Sequence, residues 1–513
     1  MKTQALIKTL LSLGLLVFVA SFANASEVAN NAARALIRQG KLPEAEQKLQ
    51  KALSQNPRDA SAMTLLGEVK VRRRQYLQAE KLFQDAVRID PKLVAAHSQL
   101  ASLYTDEERI DEAISASETV HKLRPQDMKT RAELAALYER KGKHQKSIEL
   151  AKSIPAATRP DRLLPVMISD YLGLNQPDEA QKLIGQILQK APTNAELVPQ
   201  LATIFLRQRM VNDAAQLLRI AEGHQKTTPS FLTALAKAQL STGQSEQAKA
   251  TIAKALELDP NYPDALLEQA RQQGTAGDWS GAVATIKKIL KLTPPRVSIL
   301  QNLVFAALQG DDLQTAHDAA LDLNDLTPAS PDTALTLAVV LVRAARWGEA
   351  KPLLDQVLAA RPDDKRAKLA LGIVHYNLGN LDQAAPLLSA SLGQGLADAE
   401  AHYMLGLAAK QRGDIPGAAR EMELSLDVLP DKPEALASLG QLYLQLNETE
   451  KARDILERAV AKLPDNPQNH YQLALAYRKL NQIEKAREQM EVFQKLSERK
   501  VPQPTGETSN SPR

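Results

Sequence analysis

The sequence predicts an all-α fold, a solenoid of about fourteen helix-turn-helix repeats. The first observation is a proline spacing of about 34 residues, seen at Pro57, Pro91 and Pro125 and kept almost to the end of the chain. The second is a composition rich in strong helix formers, with only 4% aromatic residues. So few aromatic side chains favour thin layers of small side chains over a thick globular core.

Two other positions keep the same spacing. Twelve residues before each proline position lies a small residue, usually Ala, as at Ala45 and Ala418. Twenty-four residues before it lies Ala or Gly, usually after Leu, as at Leu66-Gly67. Small residues let two antiparallel helices approach closely, a Gly or Asn between them ends the first helix, and the proline ends the second. A single pair buries too little surface to be stable, so neighbouring pairs must stack.

On these residues the chain resembles the tetratricopeptide repeat family, whose repeat carries a Leu-Gly/Ala pair in its first helix and an Ala and a terminal Pro in its second. The tyrosines that match the family's first-helix tyrosine are Tyr104, Tyr138, Tyr171, Tyr443 and Tyr477. The resemblance extends from about Val28 to Leu496. It implies a right-handed superhelical solenoid and a protein that binds peptides or proteins.

The first 25 residues are typical of a bacterial export signal. Lys2 and Lys8 form a positive start, Leu10 to Ala23 is apolar but too short to span a bilayer comfortably, and small residues end the segment. We therefore expect cleavage after Ala25 and a periplasmic protein. The alternative is an uncleaved N-terminal anchor, the one case in which membrane contact is expected. The absence of cysteine excludes disulfides, thiolate catalysis and a lipid anchor on cysteine.

The predicted organisation has four segments: a signal peptide (1–25), an N-terminal repeat block (26–159), a C-terminal repeat block (160–498) and a disordered tail (499–513). The boundary between the blocks depends on the fourth repeat, where Ser147 replaces the usual Ala and Pro155 falls within the second helix. Pro165 and Pro199 are expected to lie inside first helices and to kink them. Residues 147–165 are either a hinge or a degenerate repeat that its neighbours tolerate.

No group of residues indicates an enzyme, a metal site or a cofactor, and no small-molecule substrate is evident. The chain lacks a Gly-rich phosphate loop and a Ser-centred elbow, and no two of its eight histidines have metal-ligand spacing on a helix. His97, His402 and His470 share one repeat position and are predicted to be structural. Asp106-Glu107-Glu108 is interpreted as a solvated turn, and Trp279 and Trp347 are expected to cover the turns between helices.

Charge excludes nucleic acid as an expected partner. The net charge is only +4, and the densest basic run, Lys70 to Arg74, is flanked by Glu68 and Glu80. Nucleic-acid-binding proteins usually carry a basic excess or a basic stripe. The run is therefore interpreted as a solvated helix end.

Stacked first helices line the concave side of such a solenoid, so three positions in each first helix are expected to face inward. They are the equivalents of Leu335, Val339 and Val342, counted back from Pro362 at the end of their repeat. In the C-terminal half they form an apolar stripe with tyrosines, which suits a hydrophobic segment or an amphipathic helix laid in a groove. Tight curvature could instead let these side chains bury one another. The candidate protein-binding residues are Leu335, Val339, Val342, Leu369, Ile373, Tyr376, Tyr403, Leu407, Lys410, Leu444, Tyr471, Leu475 and Arg478.

Family members that grip the acidic C-terminus of heat-shock chaperones carry a Lys and an Asn on this face. The corresponding pairs here are Thr64/Glu68, Ser98/Ser102, Thr233/Lys237 and Tyr471/Leu475. None of them matches, so a carboxylate clamp is not expected.

The leading interpretation is a periplasmic scaffold that binds proteins or peptides on its concave face in envelope assembly, secretion or polysaccharide export. One alternative is a membrane-anchored assembly factor with an uncleaved N-terminal segment. Another is a repeat region associated with a glycosyltransferase, as in the O-linked N-acetylglucosamine transferase. That enzyme needs several hundred further residues with α/β patterning, whereas repeats fill this chain.

Overall fold

A computed structural model describes residues 26–190, 196–222 and 227–499. Over these residues the chain forms 28 α-helices and two short 3-10 turns, and no β-strand is present among them. The predicted all-α fold and the count of about fourteen repeats are confirmed. The predicted export signal and Pro192 lie outside the described residues, as does the predicted tail beyond Arg499.

The helices divide between two compact units, Met1–Ala319 and Ala320–Arg513, with the division inside α18. The predicted boundary between repeat blocks at residue 159 stays a prediction. The helices that begin in unit 1 are α1 (26–38), α2 (Leu42–Gln55), α3 (Ala60–Arg72), α4 (Tyr76–Ile89), α5 (Val94–Asp106), α6 (Ile110–Leu123), α7 (Met128–Arg140), α8 (His144–Lys152), α9 (Leu163–Gly173), α10 (Pro177–Lys190), α11 (Leu197–Arg207), α12 (Val211–Glu222), α13 (Pro229–Ser241), α14 (Ser245–Leu258), α15 (Pro263–Thr275), α16 (Trp279–Leu292), α17 (Val297–Gln309) and α18 (Leu313–Leu326). The helices of unit 2 are α19 (Pro331–Arg343), α20 (Trp347–Ala360), α21 (Lys365–Asn377), α22 (Leu381–Ser391), α23 (Asp398–Gln411), α24 (Ile415–Val428), α25 (Pro433–Gln445), α26 (Thr449–Lys462), α27 (Pro467–Lys479) and α28 (Ile483–Arg499).

Odd-numbered helices are the first helices of the repeats and even-numbered helices are the second. First helices pack on their own second helices, as α3 does on α4, and within each unit second helices pack on the next first helix, as α4 does on α5. The small residues stand at the closest approach. Ala45 and Ala418 are fully buried, and a Cβ added to Gly372 would lie 2.7 Å from Cγ of Leu388. The predicted close packing through small residues is therefore observed.

Several first helices begin with a side-chain cap two residues after the proline position. Asp59 accepts a hydrogen bond from the backbone N–H of Ala62, and Asp127 accepts one from Lys129. Asn466 caps α27 in the same way. Such a cap satisfies one of the N–H groups that a helix N-terminus leaves without an intrahelical acceptor. The prolines thus end one helix just where the cap begins the next.

The turn inside each repeat places one residue in the left-handed region. Gly40 and Asn447 occupy this position as the sequence predicts. Arg74, Glu108 and Ala345 also adopt positive φ there. A non-glycine residue in this conformation is disfavoured by about 1–2 kcal/mol. The packing of the two helices therefore imposes the turn geometry even where the residue does not favour it.

The two prolines that were expected to kink first helices do not lie in helix interiors. Pro165 is the third residue of α9, and Pro199 is the third residue of α11. N–H groups in the first turn have no intrahelical acceptor, so a proline there removes no hydrogen bond. That prediction was wrong. Likewise α8 ends at Lys152, so Pro155 follows this helix instead of interrupting it.

None of the helices in the described part of the chain combines the length and apolarity needed to cross a bilayer.

Candidate protein-binding surface

The thirteen predicted residues lie on the five first helices of unit 2. Three belong to each of α19, α21, α23 and α27, and Leu444 belongs to α25. Spacings of three and four residues place the members from one helix on one face. Helix α19 contacts α21, α21 contacts α23, and α25 contacts α27. We call this set of thirteen side chains the first-helix face.

The first-helix face is mostly half-buried. Leu335 and Leu444 are buried, with 4% and 9% of their surface exposed. Arg478 is exposed, and the other ten side chains are intermediate. The burial of these two leucines agrees with the alternative that tight curvature lets the side chains of this face bury one another. The intermediate side chains keep part of their surface open to a partner.

The middle of the face rests on the core of unit 2. Tyr376 and Tyr403, with the aliphatic side chains at 369, 373 and 407, pack against a buried cluster that contains Leu388 and Met404. Tyr403 also packs against the neighbouring cluster that contains Leu436. Protein interiors are packed as densely as organic crystals, so side chains anchored in this way are held in place. This part of the face is a preformed apolar floor.

The tyrosines of the face are partly engaged by neighbours. Nζ of Lys432 lies 5.0 Å from the ring centre of Tyr403 and 2.7 Å from a carboxylate oxygen of Glu400. Burial raises the pKa of Tyr403. The ring of Tyr471 packs 5.3 Å from that of Phe493.

A groove opens between α25 and α27, and three of the predicted residues line it. Its volume is about 330 Å³, and its lining is Gln441, Leu444, Gln445, Gln472, Leu475, Arg478 and Lys479. Glutamine side chains offer both donors and acceptors, and a guanidinium can bind a carboxylate through two hydrogen bonds. Nζ of Lys479 donates to the carbonyl oxygen of Leu444 at 3.2 Å. This groove combines an apolar floor, amide groups and a cation.

Two further grooves lie between first helices of unit 1. One, of about 400 Å³, is lined by α1, α3 and the start of α5 and includes Arg34, Arg38 and Glu68. The other, of about 410 Å³, lies mainly between α5 and α7 and includes Lys129 and Arg140. The register positions Thr64 and Glu68 line the first groove, and Ser98 and Ser102 line the second. These side chains fit neither the predicted apolar stripe nor a carboxylate clamp, so the sequence did not indicate a site there.

The structure also shows a repeating hydrogen bond that the sequence did not predict. The hydroxyl groups of Tyr443 and Tyr477 donate to Glu423 at 2.5 Å and to Glu457 at 2.6 Å. Each partner lies on the preceding second helix, and Tyr138 bonds Glu118 in the same way. Burial is the largest cause of the raised pKa of Tyr477, about 12, and the glutamate adds to it. The tyrosine of the family motif therefore joins neighbouring repeats.

The histidines of the shared repeat position serve the fold, as predicted. Nε2 of His97 lies 3.0 Å from the carbonyl oxygen of Pro91, and Nε2 of His470 lies 2.8 Å from that of Pro464. Nδ1 of His402 lies 2.8 Å from a carboxylate oxygen of Glu421. Within the described ranges no group of three His, Asp or Glu side chains is placed to hold a metal ion.

The basic run near residue 72 is occupied by ion pairs within unit 1. Lys70 and Arg73 both pair with Glu46, and Arg72 pairs with Glu68 at 2.9 Å.

The ring of Trp279 packs on Gly274 and so covers the turn between α15 and α16, as predicted. It meets Phe305 edge to face at 5.8 Å.

The interpretation of Asp106-Glu107-Glu108 as a solvated turn was wrong. Glu107 is buried, with 1% of its surface exposed. Its carbonyl oxygen accepts a hydrogen bond from the backbone N–H of Val297 at 3.1 Å, and the Glu108 carboxylate accepts one from the N–H of Ser298 at 3.0 Å. A contact between parts of the chain so distant in sequence leaves no signal in a repeat pattern.

Stacked helix pairs with grooves between their first helices define the class of α-helical repeat proteins. Models of the tetratricopeptide repeat match residues 30–93, 335–400, 369–433 and 403–467, and a second model of this repeat matches 229–262 and 467–498. The chain belongs to the tetratricopeptide repeat family. Members of this family generally act as non-catalytic scaffolds for interactions between proteins.

Comparison with solved structures gives similar helical repeat proteins at low identity. The chain is 15% identical to the match in the APC/C hetero-tetramer Cut9–Hcn1, covering 89% of this chain and 84% of that one, with a TM-score of 0.43. It is 12% identical to the match in Naa15/Naa10 bound to HypK-THB, with coverages of 93% and 94% and a TM-score of 0.34. A tetratricopeptide repeat protein from Parabacteroides merdae is 17% identical, with coverages of 47% and 95% and a TM-score of 0.41. No curated protein matches the chain, so the family assignment rests on the repeat models.

Proposed function

We propose that this protein is an exported scaffold that binds extended protein segments along its first helices, with the groove between α25 and α27 as a principal contact. The groove, with the guanidinium of Arg478 at its edge, is the observation that carries the proposal. The Arg478 side chain is exposed and makes no hydrogen bond or ion pair with the described part of the chain. A guanidinium without an internal partner is available to a carboxylate from another protein.

The composition of the groove indicates the chemistry of the segment it would bind. Leu475 and the edge of Leu444 offer apolar contact, while Gln441, Gln445 and Gln472 can pair with the N–H and C=O groups of an extended backbone. Arg478 is placed to bind a carboxylate. The proposed partner is therefore an extended segment with an apolar side chain next to an acidic one.

A pair of charge-reversal variants tests the groove. Arg478→Glu is expected to abolish capture of the partner from an envelope fraction after cross-linking and mass spectrometry, because it would repel an acidic side chain. Arg420→Glu makes the same charge change on an exposed residue of the second helix α24 and is expected to keep the partner. Circular dichroism checks that both variants fold. Equal capture by folded Arg478→Glu and wild type would contradict the proposal.

The proposed location is the periplasm, and the proposed setting is envelope assembly, secretion or polysaccharide export. The support is the sequence of residues 1–25, with its positive start, short apolar stretch and small residues before Ser26. The mass and N-terminal sequence of the protein recovered from bacterial cells test the proposal. A mature chain that begins at Ser26 in the periplasmic fraction supports it, whereas an intact N-terminus in the membrane fraction supports the anchored alternative.

A further inference from the structure

The turn between α5 and α6 contacts the N-terminus of α17 within unit 1. Two hydrogen bonds join them: Val297 N–H donates to the carbonyl oxygen of Glu107, and Ser298 N–H donates to the Glu108 carboxylate. Arg296 attracts Asp106 electrostatically across the same contact. The turn thus meets α17 through three successive acidic residues.

The start of α17 needs such a partner. Arg296 occupies its N-cap position and makes no side-chain capping bond. The first N–H groups of a helix have no intrahelical acceptor, and the positive end of the helix dipole favours an anion. The Glu108 carboxylate supplies both the acceptor and the negative charge from a distant repeat. The two surfaces are therefore complementary in hydrogen bonding and in charge.

Glu107 shows that this turn differs from its equivalents. It is buried, whereas the residue at the same position in every other repeat is intermediate or exposed, as at Arg73 and Lys141. Its own repeat has the same helix-turn-helix geometry as the others. We therefore attribute the burial of Glu107 to the contact with α17.

The contact joins opposite edges of the helix stack. Turns within repeats lie along one edge, and the starts of first helices lie along the other. The helices from α5 to α17 pack in an unbroken series. A contact between the two edges therefore closes the wall formed by the third to ninth repeats.

We propose that the α5–α6 turn and the start of α17 form a clasp that opens to admit a protein segment to the first helices of unit 1 and closes around it. The kind of ligand rests on the proposed function, whereas the clasp itself rests on the contact. The contacts described across it are polar, namely two hydrogen bonds and the attraction between Arg296 and Asp106, and such a hydrogen bond contributes little net free energy because water replaces it on opening. It can therefore open without disrupting a core.

The charges around Glu107 give the clasp a pH dependence. Burial raises the pKa of Glu107 to about 7, Arg109 opposes this shift, and Glu80 adds to it. The other ionisable groups that face the site are Tyr76, Tyr104, Asp106, Glu108, Glu112 and Arg296. Opening exposes Glu107 and returns its pKa towards the ordinary value, so the closed form binds the proton more tightly. Raising the pH from about 4.5 to about 7 is therefore expected to favour opening.

Engineered cysteines test whether the clasp forms, because the natural chain has none. Glu108→Cys combined with Ser298→Cys is expected to form an intramolecular disulfide readily under mild oxidation. Arg74→Cys combined with Ser298→Cys is the matched control, because Arg74 occupies the same left-handed turn position one repeat earlier. It is expected not to cross-link. Absence of cross-linking in the first pair, or equal rates in both, would overturn the clasp.

Labelling tests whether the clasp controls access. A cysteine at Ser102, which lines the groove between α5 and α7, is treated with a maleimide carrying a flexible polymer as bulky as a short protein segment. The labelling rate of this cysteine is divided by the labelling rate of a cysteine placed at Ser115, an exposed residue of α6. Glu108→Lys, which repels the start of α17, is expected to raise this ratio several-fold. An unchanged ratio would overturn the proposal that the clasp controls access. Partner capture by the Arg478→Glu variant tests the proposed function separately.

Discussion

Gly372 gives a direct test of the close helix packing in unit 2. A Cβ at this position would lie 2.7 Å from Cγ and 3.2 Å from the backbone nitrogen of Leu388. Neither atom is the free end of a flexible side chain, so the two helices must move apart. Overpacking of this kind destabilises by about 1–3 kcal/mol. The better helix propensity of Ala returns about 1 kcal/mol, so Gly372→Ala is expected to lower the free energy of unfolding by about 0–2 kcal/mol.

Gly348 is the matched control in the same unit. It lies in α20, is exposed, and has no atom within 4 Å of an added Cβ. Gly348→Ala is therefore expected to stabilise unit 2 by about 0.5–1 kcal/mol. Urea unfolding followed by circular dichroism, with separate transitions fitted for the two units, measures both variants.

Comparison of the two variants shows whether Gly372 lies at a close approach between two helices. If Gly372→Ala stabilises unit 2 as much as Gly348→Ala does, the small residue is not at a close approach and the packing argument fails. A second variant refines the result. Leu388→Ala alone is expected to destabilise by about 2–5 kcal/mol, and by at least about 0.5 kcal/mol less when Gly372 is also Ala, because neighbouring sites couple.

Three further predictions concern hydrogen bonds and ionisation. Tyr477→Phe is expected to lower the free energy of unfolding of unit 2 by about 1 kcal/mol, because Glu457 loses a hydrogen bond; urea unfolding that matches wild type would contradict it. Arg207→Ala leaves the buried Glu139 without its ion-pair partner and is expected to destabilise unit 1 by about 2 kcal/mol. Adding Glu139→Gln should restore much of that loss, and failure of the rescue would count against the ion pair. Burial raises the pKa of Asp170 to about 6, so the folded state binds its proton more tightly and loses stability as the pH rises from about 4 to 6. Asp170→Asn is therefore expected to gain stability relative to wild type as the pH rises from about 4 to 6, and a pH-independent difference in urea unfolding would contradict this.

The repeat spacing determined most of the fold. Evenly spaced prolines and small residues at fixed offsets from them, such as Ala45 and Ala418, specify local contacts between helices that are close in sequence. Contacts of this kind recur in each repeat, so the pattern is visible in one chain. The same register placed Leu444, Leu475 and Arg478 on a common groove. The family, the helix pairing and the position of this groove could therefore be predicted.

The tertiary structure decided the features that the repeat spacing does not specify. The turn at Glu107 and Glu108 was predicted to be solvated because acidic residues are usually exposed. It instead contacts α17, six repeats further along the chain. Pro165 and Pro199 were expected to kink helices, and only the observed helix starts show that they lie in first turns. Burial of Leu335 and Leu444 likewise depends on how neighbouring repeats stack. Periodicity records contacts between adjacent repeats, whereas distant contacts, exact helix ends and burial arise from the three-dimensional path of the chain.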